Sequence, residues 1–267
     1  MRLKIIIIVI LLFLISGCTM IRETIPDREI RVIEDVLPYL ESLRVGERLV
    51  YQVKMWGVEI GECITEVKEL VKIGEHEAYH LVFTARTNAF FSFFYKIDDT
   101  IDTYIEKETF YPIKSEIIIS QSTKSSSQIV IFDQKNNRLK SHGIRNEKNK
   151  INIDREIPPA AFDAVSCFYK FRTKRINLYE PVKFNVSTPK KDWEVAMRVL
   201  KRGKISVPLG NYGTFLVQPV ARLLKDNKLF KRVRVLIWFS TDTNRVPVLI
   251  KGYSFFGNPV AYLRKIN

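Results

Sequence analysis

From about residue 46 onward, the sequence alternates between short apolar runs and clusters of polar or turn-forming residues. The runs are rich in Val, Ile, Thr, Phe and Tyr, and Gly, Asn, Asp and Ser separate them. This pattern is typical of strands in an antiparallel sheet. We predict strands at 47–56, 58–70, 77–87, 93–105, 113–122, 126–133, 137–143, 181–188, 192–202, 203–208, 213–220, 232–241, 245–252 and 253–265. No repeat of fixed period is present, which argues against a propeller or a solenoid.

One segment, at about 160–173, breaks the strand pattern. Phe162, Val165, Phe168 and Tyr169 follow a double proline at three- and four-residue steps. Such spacing predicts an amphipathic helix. The expected fold class is therefore mainly β: one strongly curved antiparallel sheet, or a partly open β-barrel or sandwich. We expect this single helix to lie across the mouth or the concave face of the sheet.

The N-terminal sequence, "MRLKIIIIVILLFLISGCTM", is typical of an exported protein. Arg2 and Lys4 precede an apolar run that is too short to span a bilayer as a helix, and small residues follow it. The five residues "LISGC" resemble the bacterial lipobox, whose cysteine receives palmitate-type acyl chains. We expect a signal peptide at 1–17 and lipidation of Cys18. A plain signal peptide, or a membrane anchor with a chance cysteine, is the alternative.

The remaining chain divides at about residue 46. Residues 18–45 read as a lipidated N-terminus and tether with one short helix, and residues 46–267 as a single β-rich domain. Thr19, rather than Asp, follows the cysteine, which by resemblance to bacterial sorting rules indicates the outer membrane. We expect attachment through acylated Cys18 on the periplasmic face.

The chain is strongly basic. The net charge of +14 falls to +12 once residues 1–17 are removed with Arg2 and Lys4. Beside a membrane, this charge favours anionic lipid headgroups or lipopolysaccharide phosphates, and nucleic acid is not an expected partner. Because Lys and Arg are scattered along the whole sequence, ordinary solvated faces are the alternative explanation.

The sharpest catalytic pattern is His76-Glu77-Ala78-Tyr79-His80, which matches the H-E-x-x-H motif of zinc hydrolases. On a helix, His76 and His80 would share one ion; on a strand they would lie about 13 Å apart. Gly74 stands too close for a helix, and "YHLVFTART" favours a strand. We therefore predict no metal site here and no cofactor. No nucleophile elbow, P-loop or dinucleotide fingerprint is present either, and we expect the protein not to be an enzyme.

Two further cysteines, Cys63 and Cys167, remain in the β-rich region. The envelope is oxidising, so a disulfide between them is one hypothesis. Two free, buried thiols are the other, because nothing in their spacing requires pairing.

Several segments resemble a known bacterial envelope family, domain of unknown function 3108. These segments are "GERLVYQVKMWGVEIGE", "FFSFFYKIDDTIDTYIE", "FDAVSCFYKFR", "VPLGNYGTFLVQP" and "IWFSTDTNRVPVLIKGYSFFGNPVAYL". The resemblance extends from about residue 46 to the C-terminus. It implies secretion and a β-rich fold, and it implies no activity and no catalytic residues.

Our leading functional hypothesis is non-catalytic binding of an apolar or amphipathic envelope ligand, such as a lipid or a lipopolysaccharide fragment. Aromatic side chains on a concave sheet could line an apolar pocket, although they could equally fill the core. The candidate ligand-facing residues are Phe90, Phe91, Phe93, Phe94, Phe168, Tyr169 and Trp238. A scaffold lipoprotein that pairs with another envelope protein through exposed strand edges is the second hypothesis, and a zinc hydrolase the third.

Overall fold

The computed structural model describes residues 43–176, 180–230, 234–253 and 257–267. The expectations for the signal peptide, Cys18 and most of the tether lie outside these residues. The strands are β1 Arg48–Met55, β2 Val58–Ile73, β3 His76–Thr87, β4 Asp98–Glu106, β5 Pro112–Gln121, β6 Lys124–Asp133, β7 Arg138–Arg145, β8 Asn149–Glu156, β9 Ala161–Phe162, β10 Val182–Ser187, β11 Asp192–Val207, β12 Gly210–Leu223, β13 Arg234–Ser240, β14 Pro247–Tyr253 and β15 Val260–Ile266. The helices are α1 Ala89–Phe94 and α2 Ala164–Thr173.

All fifteen strands belong to one sheet. Its order runs from β8 back to β1, then through β15 and β14 down to β9. Neighbouring strands are antiparallel, apart from the short parallel pair of β9 and β10. Because most neighbours in the sheet are also neighbours in sequence, tight connections alternate between the two ends of the strands. The prediction of a mainly β protein with one large sheet is confirmed.

Alternation of buried and exposed residues gives the sheet a core face. In β1, Leu49, Tyr51, Val53 and Met55 are buried, and the residues between them on the strand are mostly more exposed. In β4, every second residue from Asp99 to Ile105 is buried. This period of two is the pattern expected of a strand with one face on a core and one on solvent.

The two terminal regions of the sheet meet at an arginine. Arg155, near the end of β8, donates from Nη1 to Asp192 Oδ2 at 2.7 Å and from Nη2 to Asp192 Oδ1 at 2.8 Å. Its Nε donates to the carbonyl oxygen of Pro189 at 3.2 Å. Pro189 belongs to the connection between β10 and β11, and Asp192 begins β11, so the sheet curls far enough for side chains to join β8 to the hairpin beside the opposite edge.

Helix α2 packs inside this curved sheet and is held at both ends. Asp163 caps its N-terminus by accepting a hydrogen bond from the backbone N–H of Ser166 at 2.6 Å, and it also accepts one from Ser115 Oγ at 2.7 Å. At the other end, Arg172 donates to both carboxylate oxygens of Glu47, at 2.6 and 2.7 Å. Arg245 donates to the carbonyl oxygen of Phe171 at 3.2 Å. The aromatic face of α2 is therefore fixed in the core.

Four details differ from the sequence-based expectations. A second helix, α1, occupies 89–94, where we predicted a loop and the start of a strand; the expectation of a single helix is wrong. Helix α2 begins at Ala164 instead of 160, because Asp163 is its N-cap. Strands β8 and β9 were missed, and β9 lies where we predicted the start of the helix. Strand β11 continues through Gly203, where we had divided it into two strands, and its bulge lies between Val199 and Lys201.

Candidate functional site

The H-E-x-x-H motif lies on a strand, as predicted. His76 and His80 belong to β3, on which residues four apart are separated by about 13 Å. His76 Nδ1 lies 2.7 Å from Glu106 Oε1, whereas His80 contacts Glu69 and Asp102. The two imidazoles thus have separate carboxylate partners. Among the described residues, no cluster of His, Cys, Asp and Glu could hold a metal ion.

The two cysteines of the β-rich region are free thiols. The disulfide hypothesis is therefore not the arrangement present in the structure. Burial raises the pKa of the Cys167 thiol, and the carboxylate of Asp163 adds to this effect. Burial also raises the pKa of Cys63 to about 12, with smaller contributions from Glu62 and Asp99. Both groups are therefore poor nucleophiles near neutral pH, since the thiolate is the reactive form.

The concave side of the sheet is filled by protein side chains. Phe168 and Tyr169 of α2 are buried in the core, and Trp238 of β13 is half-buried against it. A gap beside α2, lined by residues that include Thr65, Phe83 and Val165, has a volume of about 10 Å³. That space accommodates roughly one water molecule. In the part of the chain that the structure describes, this gap beside Phe168 and Tyr169 is too small for a lipid chain.

Helix α1, by contrast, has no buried residue. Phe90, Phe93 and Phe94 are 68%, 87% and 63% exposed, and Phe91 is half-buried. The rings contact one another: the Phe90 centroid lies 5.3 Å from Phe91 and 5.4 Å from Phe94. Asn88 caps the helix by accepting a hydrogen bond from the backbone N–H of Phe91 at 2.9 Å. The cap holds the phenylalanines in a fixed, outward-facing cluster.

A second aromatic group beside α1 was not predicted from the sequence. Trp56 and Gly57 form the two-residue turn between β1 and β2, with φ angles of +52° and +82°. Positive φ at both positions is typical of a type I′ hairpin turn. Trp56 is 71% exposed and the following Val58 is 55% exposed. The sequence "MWGV", an aromatic residue before a turn glycine, is the pattern from which an exposed tryptophan at this turn could have been predicted.

Hydrogen bonds place this turn next to α1. Asn88 donates from Nδ2 to the carbonyl oxygen of Glu59 at 2.9 Å and from its backbone N–H to that of Ile60 at 3.0 Å. Gly257, before β15, also packs on this turn: a Cβ on it would lie 3.2 Å from the Trp56 ring. We call the exposed apolar surface formed by Trp56, Val58, Phe90, Phe93 and Phe94 the aromatic rim. Every exposed Trp or Phe among the described residues belongs to it.

Neighbouring turns extend this end of the sheet and carry lysines. Ser122, in the β5–β6 turn, donates its backbone N–H to the carbonyl oxygen of Lys96 at 3.1 Å. Asn146, in the β7–β8 turn, donates to the carbonyl oxygen of Ser125 at 2.8 Å. Lys96 is exposed between α1 and β4, Lys148 in the β7–β8 turn, and Lys150 at the start of β8. The end of the sheet that carries the aromatic rim therefore also carries basic side chains.

Together these features define a mainly β, barrel-like protein with a filled interior. The sequence profile of the family described as Protein of unknown function (DUF3108) matches residues 50–264, and the chain belongs to that family. The family predicted from the sequence is thereby confirmed. A search of curated proteins gave no match.

One solved structure supports the fold, and two others show weaker similarity. A β-barrel-like protein of the domain of unknown function DUF1849 from Brucella abortus has a TM-score of 0.52 and 8% identity, covering 84% of this chain and 97% of that chain. A candidate lipoprotein from Parabacteroides distasonis has a TM-score of 0.38 and 10% identity, covering 88% of this chain and 100% of that one. A candidate exported protein with a YmcC-like fold from Bacteroides fragilis has a TM-score of 0.37 and 8% identity, covering 86% and 99%.

The described helices are short. None of them, within the residues that the structure describes, has the length and apolar character needed to cross a bilayer.

Proposed function

We propose that this chain is a non-catalytic lipoprotein of the bacterial envelope that binds an amphipathic molecule of that compartment, a lipid or a lipopolysaccharide fragment. Acylated Cys18 would hold it on the periplasmic face of the outer membrane. The observation that carries the proposal is the exposure of three phenylalanines on α1, between 63% and 87%. Large apolar side chains gathered on a surface mark interaction sites more often than isolated ones do.

The aromatic rim is a better candidate for this binding than the concave face of the sheet. Phe168 and Tyr169 already contact the core, and α2 is held by the Glu47–Arg172 ion pair and by Asp163. A lipid entering there would have to displace a helix with buried charges at its end, which is costly. Phe90, Phe93 and Phe94 can contact a ligand without any displacement.

The chemistry of the polar groups supports a binding role over a catalytic one. Cys167 is buried and Cys63 half-buried, and removal from solvent raises the pKa of both thiols, which keeps them in the unreactive form at neutral pH. His80 is nearly buried, and both of its ring nitrogens face carboxylates. A general base needs an accessible ring nitrogen within reach of a substrate proton.

Lipid extraction tests the proposed function. The chain from Thr19 onward, exported behind the cleavable signal peptide of a soluble protein, would be purified from the periplasm, extracted with organic solvent and analysed by mass spectrometry. We expect a lipid or a lipopolysaccharide fragment to copurify, and to be lost in a Phe90→Ser/Phe93→Ser/Phe94→Ser variant. A matched control replaces Ile118, Ile131 and Ile144, which are also exposed but lie on β5, β6 and β7. Absence of lipid from the parent chain would contradict the proposal.

The edge of the sheet favours a second function, as a scaffold for another envelope protein. Strand β8 pairs with β7 on one side and ends the sheet on the other. Exposed backbone groups on such an edge can receive a strand from a partner. A photo-crosslinking residue at Asn152 in β8 would capture one stoichiometric partner, and the same residue at Lys201 in β11 would not. Equal labelling at both positions would count against this role.

A further inference from the structure

We propose that the aromatic rim is a membrane-docking surface, which inserts into the headgroup layer of an anionic phospholipid bilayer and orients the protein on it. This inference rests on the proposed function. It specifies that the protein binds lipid as a bilayer surface and not as single molecules in a pocket.

The shape of the aromatic rim favours a surface as its partner. Its side chains lie on two protruding connections, the β1–β2 turn and α1, and are 55% to 87% exposed. A binding site for one small ligand usually encloses most of that ligand's surface in a concavity. Side chains this exposed cannot enclose a small ligand, whereas a bilayer surface can cover the whole aromatic rim at once.

The chemistry of the aromatic rim suits the membrane interface. Tryptophan is enriched at the level of lipid headgroups, where its ring is apolar and its N–H remains hydrated. Helix α1, "AFFSFF", contains no charged side chain that would oppose insertion. Lys96, next to α1, and Lys148 and Lys150, at the β7–β8 turn of the same end of the sheet, are exposed. Basic side chains close to inserted aromatics are attracted to anionic headgroups.

Two acidic side chains near the aromatic rim, Glu59 and Asp98, have partners. Glu59 accepts a hydrogen bond from Gln52 and lies 3.9 Å from the guanidinium of Arg264. Asp98 accepts a hydrogen bond from Arg86 at 2.7 Å. These contacts offset part of the repulsion that free carboxylates would meet at an anionic surface.

The length of the N-terminal chain permits docking on the membrane that holds the acyl anchor. The described chain begins at Leu43, next to the end of β1 that is opposite Trp56. Strand β1 is about 26 Å long at 3.3 Å per residue. The residues from 19 to 42 can span at most about 80 Å when fully extended. A chain anchored at Cys18 can therefore reach past the sheet and leave the aromatic rim facing the same bilayer.

Tryptophan fluorescence of the acylated full chain tests this proposal. The protein would be reconstituted into vesicles of phosphatidylethanolamine and phosphatidylglycerol with brominated acyl chains, which quench only inserted indoles. Trp193 is buried and Trp238 half-buried, so both serve as internal references. We expect quenching of the emission, and loss of that quenching in Trp56→Phe and in Phe90→Ser/Phe93→Ser/Phe94→Ser. The Ile118→Ser/Ile131→Ser/Ile144→Ser control should retain it.

The possible outcomes separate this inference from the proposed function. Copurified lipid without quenching of Trp56 would overturn docking and leave lipid binding in place. Absence of both would overturn both. Shielding of Trp56 from iodide in detergent, lost when residues 19–42 are removed, would assign the aromatic rim to that segment and would also overturn docking. Unchanged thermal unfolding of the triple Phe variant would show that lost quenching does not result from misfolding.

Discussion

Helix α1 and helix α2 are both rich in phenylalanine, yet α1 buries no residue and α2 buries seven of its ten. The difference lies in their partners. Helix α2 contacts the core through Phe168 and Phe171, and an ion pair and a capping box fix its ends. Helix α1 is attached to the sheet chiefly through Asn88 and Ser92. Aromatic content alone therefore does not distinguish a core helix from a surface helix. In this protein, the core helix is the one whose two ends are both fixed to the sheet by polar side chains.

Truncation of one phenylalanine in each helix should give the largest contrast. Phe171 is fully buried, so Phe171→Ala should lower the free energy of unfolding by about 3–5 kcal/mol. Phe93 is 87% exposed, and Phe93→Ala should change the free energy of unfolding by less than about 0.5 kcal/mol. Urea titration of both variants measures the difference. Similar losses would show that α1 also contributes to the core.

The ion pair at the end of α2 should be the next most sensitive feature. Arg172→Met leaves the buried Glu47 carboxylate without its partner and should cost about 3 kcal/mol of unfolding free energy. The double variant Arg172→Met/Glu47→Leu removes both charges and should recover much of this loss. Chemical denaturation of the two variants compares them. A double variant that is less stable than the single one would contradict this account of the pair.

The two N-cap residues should differ by a smaller amount in their contribution to the free energy of unfolding. Asp163→Ala removes the α2 cap and also the acceptor of the Ser115 and Thr103 hydroxyl groups, and should cost about 2 kcal/mol. Asn88→Ala removes the α1 cap and its hydrogen bond to Glu59, and should cost about 1 kcal/mol. Thermal unfolding would rank them, and the reverse order would count against α2 as the anchored helix.

Alkaline pH should destabilise the protein through a group on α2 and not through any group on α1. Cys167 has a raised pKa because it is buried, whereas α1 contains no titratable side chain. A raised pKa in the folded state gives stability that is complete below the pKa of the unfolded thiol, about 8.5, and is lost as pH rises above it. We expect stability to fall by up to about 1 kcal/mol per pH unit between roughly pH 9 and 11. Cys167→Ala should flatten this dependence in urea titrations at several pH values; an unchanged slope would contradict it.

Strands with an apolar face or an apolar run were predictable from the sequence, and two segments that lack such a pattern were not. In β1 and β4, apolar and polar residues alternate clearly, and both were predicted. In β8, "NKINIDRE", no residue is fully buried, so it lacks the apolar face that identifies a strand. In β11, a bulge lets the strand continue across "KRGK", where local composition indicates a turn.

The position of the aromatic rim depends on contacts between segments that are distant in sequence, so local sequence patterns did not predict it. "FFSFF" has high strand propensity, and only the Asn88 cap and its bonds to Glu59 and Ile60 make it a short exposed helix. Trp56 and Phe90 lie at the same end of the sheet because β2 pairs with β3, a contact between residues distant in sequence such as Gly61 and Thr87. The strand assignment of His76 and His80 was predictable, because Gly74 and the following β-branched residues act locally.

The depth of residue 93 in a bilayer tests the central claim most directly. A nitroxide would be attached to a Phe93→Cys variant of the full chain; Cys63 and Cys167 should react little because their pKa values are raised by burial. Electron paramagnetic resonance in anionic vesicles would then compare collision with oxygen and with a water-soluble nickel complex. We predict that the label is accessible to oxygen and shielded from nickel, while a label at Ile118 remains accessible to nickel. Equal nickel accessibility at both positions would contradict a membrane-facing aromatic rim.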